Sequence, residues 1–369
     1  MKIRTTKERL MNGILLTERI VGKKESLPVL SCILIDAAKE CSLSATNLEA
    51  GITISIPADI EEVGTLAVNA HVLAQTIRSL SGDKVFLKSE EGNLLLESRG
   101  SKTLIKALPH AEFPALTAKP AAGVSVERAQ LLNGIQSVLY AASPSMIRPE
   151  LGSVYISLDE NGITCAATDS FRLAEKNIKN AHVKSAQDLL IPLKHTVELA
   201  HILEHIESDT IELSVADSQL SVSANGMGVG MVRYVSRVVD GQFPNYKEII
   251  PKKFTTEATV LKGDFAEMLR KARVFSGADQ HVGLHLYPKR KIFSATAQSP
   301  DVGEMSDSVD AALSGEDIDI NFHIGYLSDV FPSIQADSVT LGFSGAGKPL
   351  VIRGVSDQNF TYLVMPLNR

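Results

Sequence analysis

The chain repeats itself three times. Ser44-Ala-Thr-Asn47, Ala166-Ala-Thr-Asp169 and Ser294-Ala-Thr-Ala297 each follow an alternating apolar segment, and their threonines, Thr46, Thr168 and Thr296, lie 122 and 128 residues apart. A second marker keeps step: Asp83-Lys-Val85, Asp209-Thr-Ile211 and Asp337-Ser-Val339 open strand-like runs spaced by 126 and 128 residues. Apolar residues three and four apart predict a helix before each of these runs, over Val72–Leu80, Thr196–Ile206 and Tyr326–Ile334. An earlier amphipathic helix is predicted near Glu8–Val21, Val126–Ala142 and Gly263–Phe275. The period is too long for a solenoid, whose units run about 20 to 50 residues. The reading is an α+β chain of three similar domains, each with two helices packed on antiparallel sheets.

Strand patterns agree. Lys84–Ser89 and Asn93–Ser98 flank Glu91-Gly92 as a hairpin, and Thr210–Val215 pairs in the same way with Gln219–Ala224. The proline-bearing stretch Ala115–Gly123 and the segment Val235–Pro251 read as joints, giving domains at 1–121, 122–247 and 248–369. In the second joint Asp240-Gly241 marks a turn, Pro244 biases Phe243 toward extended backbone, and the interspersed apolar residues predict a linker packed on the protein. A crevice at such a joint is a favoured ligand site.

Composition narrows the function. A net charge of −6 excludes a uniformly basic nucleic-acid binder but permits a basic lining on an acidic body. Cys32, Cys41 and Cys165 are odd in number and lack metal-ligand spacing, which predicts a reducing cytoplasm and no disulfide framework. The opening residues carry no apolar signal core, and no run is long enough to span a bilayer.

Three motifs imitate catalytic or nucleotide-binding signatures. Gly342–Lys348 fits a phosphate loop in its glycines and lysine, but Pro349 replaces the magnesium-binding hydroxyl and a strand-like run follows, so a hairpin turn is expected. Gly226–Gly230 reads as a loop or bulge between strands. His201-Ile-Leu-Glu204-His205 matches the H-x-x-E-H pattern of inverted zinc peptidases. The equivalent helices of the other repeats lack it, so the preferred reading is a solvated helix face, with no metal and no catalytic residue. A zinc hydrolase is the alternative.

Leu27-Pro-Val-Leu30, Ala167-Thr-Asp-Ser-Phe-Arg-Leu-Ala174, Val239-Asp-Gly-Gln-Phe-Pro-Asn-Tyr246 and Tyr362-Leu-Val-Met-Pro-Leu367 together resemble the bacterial sliding-clamp family, the beta subunits of DNA polymerase III. The resemblance runs from Met1 to Arg369. It implies a non-enzymatic processivity factor without cofactors. A head-to-tail homodimer would close a ring of six domains around double-stranded DNA, in the cytoplasm and at the nucleoid. A clamp paralogue with a regulatory role is the neighbouring reading. Lys7, Arg9, Arg19, Lys23 and Lys24 crowd the opening of the first repeat and suit a phosphate-facing lining, although a solvated helix face accounts for Lys7 or Arg9 equally well. By position in the family, Lys24, Ser145 and Arg148 would touch DNA, with Lys194 a further candidate; Ser145 stands in place of a longer amide.

The resemblance also implies a pocket for the short linear motifs of DNA polymerases, the clamp loader and repair proteins, of the glutamine-leucine-x-leucine-phenylalanine kind. Its positions fall on Leu151, Thr168, Ser170, Phe171, Arg172 and Leu173, on Pro244, Glu248 and Ile249, and on His323, Tyr326 and Pro349. They end with Leu363, Val364, Met365, Pro366, Leu367 and Asn368. Ser170 replaces a frequent Gly, Phe171 a frequent His, Glu248 a common basic residue and His323 a frequent Asn, changes expected to alter which peptide is preferred. Replacing Met365 and Leu173 by Ala is expected to weaken peptide binding and leave the ring intact. At the dimer seam the resemblance places Val274 and Phe275 against Thr103, Leu104 and Ile105 of the partner.

Overall fold

The structure, a computed structural model, describes residues 1–22, 27–116, 123–160, 162–179, 187–216 and 218–367. Lys23, Lys24 and Asn368 therefore lie outside the described residues. The chain packs into two compact units, Met1–Leu132 with Lys194–Val238, and Asn133–Leu193 with Val239–Arg369.

The first unit holds a nine-stranded sheet and a five-stranded sheet. In the larger one, strand Ala50–Ile56 pairs with Met231–Arg237, so residues far apart in sequence meet in mid-sheet. The smaller runs from Asp59–Glu62 through Lys2–Thr6, Lys84–Glu90 and Asn93–Ser98 to the edge strand Ser101–Ile105. The second unit repeats the plan with nine and four strands. In its larger sheet Phe360–Val364 lies between Arg172–Lys179 and Leu350–Gly354. Pairing is antiparallel throughout the described strands, and Gln219–Asn225 shows the expected alternation, with Leu220, Val222 and Ala224 buried. Glu91 and Gly92 both take positive φ, 48° and 75°, as a two-residue hairpin requires. Ser344–Pro349 turns between strands, as its proline and glycines predict.

The six α-helices among the described residues are α1 (Lys7–Thr17), α2 (Ala70–Ser79), α3 (Arg128–Val138), α4 (Leu193–Glu204), α5 (Lys262–Phe275) and α6 (Ile324–Ser328). They fall where periodicity places them, two per repeat. α6 is shorter than its pattern, because Pro332 forbids a continuous helix and leaves only the 3-10 turn Phe331–Ser333 beyond it. Val126 belongs to strand Val124–Glu127 and not to the helix after it.

The repeat markers have a physical basis. Lys7, Arg128 and Lys262, the first residues of α1, α3 and α5, each donate their backbone N–H at 2.8 Å to the carbonyl of Asp83, Asp209 and Asp337. Their cationic side chains reach carbonyls at the end of the second helix of the repeat or, in the third repeat, after the 3-10 turn that follows it. Lys7 Nζ donates to Leu80 O at 2.6 Å, Arg128 Nη1 to Leu203 O at 3.1 Å and Lys262 Nζ to Ile334 O at 2.7 Å. This corrects the reading of Lys7 as a phosphate-facing charge. Arg19 is likewise engaged, its Nε 2.7 Å from Glu198.

The threonine marker is a turn device in two repeats. Thr46 Oγ1 donates to Ala50 O (2.9 Å) and accepts from Leu48 N; Thr168 Oγ1 donates to Arg172 O (2.7 Å) and accepts from Ser170 N. Asn47 and Asp169 side chains each accept two further backbone N–H groups. Leu48 and Ser170 consequently sit at φ 77° and 78°, left-handed for both. Thr296 lies within strand Ile292–Ser299 and binds His285 instead.

Candidate functional site

That second turn builds a pocket. Antiparallel pairing sets Leu173 opposite Leu363, and Met365 N–H donates to Phe171 O at 2.8 Å, so the segments 168–173 and 363–365 are locked side by side. The 3-10 turn Tyr246–Glu248 closes a third wall. Between them is a cavity of about 240 Å³ lined by Leu151, Thr168, Ser170–Leu173, Pro244–Tyr246, Ile249, Leu363 and Met365.

Its floor is core. Leu173 and Leu363 are each 2% exposed and pack with Ala166, Tyr246 and Val351. Tyr246 is held by its hydroxyl, which donates to Glu175 Oε2 at 2.5 Å; burial, reinforced by Glu175, pushes its pKa up, so it stays a neutral donor. Its ring meets Phe243 edge-on, and Phe243 stacks on Tyr155 at 4.9 Å, which packs the joint onto the protein as expected. The rim is apolar and wet: Phe171 is 58%, Ile249 55% and Met365 37% exposed. Exposed apolar groups over a fixed apolar floor are suited to covering by apolar side chains of a ligand.

Arg172 forms the polar shoulder. Its Nε donates to Asp169 (3.0 Å), its Nη1 to the Asp329 carboxylate, and its guanidinium lies 4.6 Å from the centroid of the Tyr326 ring. Phe171 stacks on the same tyrosine at 6.4 Å. Tyr326 thus supports the shoulder from behind and does not line the cavity. His323 caps α6 by accepting Tyr326 N–H at Nδ1 (3.4 Å); burial, with Arg172 nearby, holds its pKa below the ordinary value and keeps that lone pair available.

Other expected pocket residues lie off the cavity wall. Glu248 accepts from Asn245 Nδ2 at 2.6 Å, Pro349 and Val364 are buried, and Pro366 and Leu367 continue past the rim, where Leu367 N–H donates to Asn321 O. Asn245 and Tyr246 do line it and were not expected, although both stand in the Phe-Pro-Asn-Tyr stretch the resemblance rests on. Leu173 is too buried for the mild role given to it, since its truncation strikes the core.

The expected DNA contacts fall in both units, each on a surface. In the second unit Ser145 and Arg148 lie on an exposed turn, with Ile147 N–H donating to Ser145 Oγ and Arg148 Nε 3.5 Å from Glu150. Lys194 is exposed on the first turn of α4 in the first unit. Thr103, Leu104 and Ile105 occupy the edge strand of the five-stranded sheet, with Leu104 half exposed. Val274 is exposed at the end of α5 and Phe275 half-buried beside it; in the same unit Gly303–Ser308 is the edge of the four-stranded sheet. Cys32, Cys41 and Cys165 are free and buried. At the end of α4, His201 and Glu204, with His205 in the turn just past it, bring three potential ligand atoms within 4.8 Å of one another. Among the described residues, no helix is long and apolar enough to cross a membrane.

Three domains of two helices on antiparallel sheets, with an apolar pocket beside the final strand, define a clamp-type fold. Residues 1–117, 125–245 and 247–368 match the N-terminal, central and C-terminal domains of the DNA polymerase III beta subunit. The chain belongs to the DNA polymerase III beta subunit family. It is 27% identical to the beta sliding clamp of Streptomyces coelicolor, covering 100% of this chain and 99% of that one, and 27% identical to that of Staphylococcus aureus over 95% of each. The crystal structure of the Thermotoga maritima beta subunit superposes with a TM-score of 0.93 at 26% identity, covering 100% and 99% of the two chains. The family is a non-catalytic processivity factor, which removes the zinc-hydrolase reading.

Proposed function

We propose that two copies of this chain join head to tail into a ring that encircles duplex DNA and tethers a polymerase to it through the pocket at Phe171 and Met365. The domains that build the ring are 1–121, 122–247 and 248–369. Encirclement makes retention topological, so phosphate contacts from Ser145, Arg148, Lys194 and Lys24 need only be weak, which permits sliding. Two sheet edges support the seam: Ser101–Ile105 and Gly303–Ser308 each carry an unpaired row of backbone groups, and their pairing across copies satisfies both. Val274 and Phe275 supply apolar cover beside the second edge. Linear peptide motifs on polymerases, the clamp loader and repair proteins bind the pocket, and attachment raises the partner's effective concentration at the primer end. The chain acts in the cytoplasm, at the nucleoid.

The observation that carries this reading is the exposed apolar rim over a buried floor in a chain of this family. The test is titration of a fluorescent glutamine-leucine-x-leucine-phenylalanine peptide into the full chain and into a chain ending at Val364. The truncation keeps strand Phe360–Val364 and removes Met365 with its bond to Phe171 O. Saturable binding to the full chain, lost on truncation, is expected. Absence of binding to the full chain refutes the partner assignment.

A further inference from the structure

We propose that the C-terminal end of α4, with His201 and Glu204, and the residue just past it, His205, bind one borderline divalent transition-metal ion, with zinc the best match. No residue of the pocket or of the sheet edges takes part, so the site stands independently of the clamp function.

The donors are compactly placed. His201 lies in the last turn of α4 and His205 in the turn just past its end, with ring centroids 4.5 Å apart, and Glu204 adds a carboxylate 3.6 Å from His201 Nδ1. One ring nitrogen from each histidine and one carboxylate oxygen fall within 4.8 Å. Metal–ligand bonds of about 2.0–2.2 Å in a tetrahedral arrangement set neighbouring donors about 3.4 Å apart, a difference that side-chain rotation can close. Two imidazoles and a carboxylate suit zinc and its neighbours, whereas magnesium and calcium favour oxygen-only sets.

The hydrogen bonding leaves the ligand atoms ready. His205 Nδ1 lies 2.9 Å from His201 O. A carbonyl can only accept, so Nδ1 carries the proton and the lone pair sits on Nε2. A carbonyl bonded to the far nitrogen is also how metal-ligating histidines are commonly fixed in tautomer and orientation. His201 Nε2 is buried and has no hydrogen-bond partner among the described residues, so no hydrogen bond at that nitrogen opposes metal binding by the ring.

Among the described residues the charged groups around His201 are Arg19, Glu198 and Glu204, with Arg19 bonded to Glu198 at 2.7 and 3.3 Å. The backbone is firm at this point, since His205 O accepts Met227 N–H at 2.9 Å and His205 N–H donates to Ile202 O.

The test is calorimetric titration of zinc chloride into chelator-treated full-length protein. One zinc per chain is expected, with affinity at least tenfold lower in both His201→Gln and His205→Gln, unchanged in His281→Gln and insensitive to millimolar magnesium. Cobalt(II) added to the unaltered protein should give visible absorption of a low-coordinate nitrogen–oxygen site, a readout that stands even if a variant fails to fold. No saturable one-to-one binding, or histidine variants that bind as the parent does, overturns the proposal.

Discussion

Phe171→Ala separates the rim of the pocket from its floor. A phenylalanine side chain presents about 200 Å², and with 58% relative exposure roughly 115 Å² of Phe171 remains in water in the free chain. A bound peptide that covers about two-thirds of this removes roughly 75 Å² from water, which at about 25 cal/mol/Å² is close to 2 kcal/mol. The Kd for the peptide should therefore rise about 30-fold. The folded chain itself should lose well under about 1 kcal/mol, because the side chain's main internal partner is the Tyr326 ring at 6.4 Å. Fluorescence anisotropy gives the affinity and urea unfolding the stability. Leu173→Ala is the contrast: at 2% exposure it opens a hole in the floor and should cost about 2–5 kcal/mol of stability. An unchanged Kd for Phe171→Ala in a folded protein refutes the assignment of the rim as the binding surface.

Arg172→Met leaves the Asp169 and Asp329 carboxylates facing each other without their cation, and it should lower the unfolding free energy by about 2 kcal/mol in urea titrations. Ser170→Gly relieves a left-handed backbone at φ 78° and should raise stability by up to about 1 kcal/mol, read from the same titration; a destabilised variant would show that the turn is not strained. Acid should destabilise the first unit through His195. Burial lowers its folded pKa below the unfolded 6.5, with Lys194 acting in the same direction and Glu49 and Glu198 against. The unfolded chain then binds the extra proton, so the contribution is complete above the unfolded pKa and is lost as pH falls toward the folded one. The urea midpoint should drop between about pH 7.5 and about pH 5.5, less so in His195→Gln, and equal midpoints in the parent would refute this.

The fold was legible because its markers report backbone chemistry. Asp83, Asp209 and Asp337 recur because their carbonyls receive the first N–H of a helix, and the Thr-Asn and Thr-Asp pairs recur because they close the same left-handed turn. Periodicity could not reveal that Lys7 is bound to two carbonyls, since an exposed lysine and a capping one have the same one-letter neighbourhood. The pocket was legible as three contiguous segments. What sequence could not supply was direction. His323 turns to cap a helix and Tyr326 to support Arg172, contacts that depend on side-chain direction and not on spacing. The α4 histidines showed helical spacing, but the carbonyl that orients His205 is visible only in three dimensions.

Strand Phe360–Val364 sits between Arg172–Lys179 and Leu350–Gly354, and it leaves the ribosome after every other strand of its sheet. Until it arrives, Arg172–Lys179 offers an open row of backbone donors and acceptors, as Ala50–Ile56 does until Met231–Arg237 is made. Synthesis at about 5–20 residues per second keeps these gaps open for roughly ten seconds or more. The nascent chain is therefore an edge-bearing, aggregation-prone species throughout that interval, and a chaperone or a slowed codon stretch near either gap would act on folding yield without touching the finished protein.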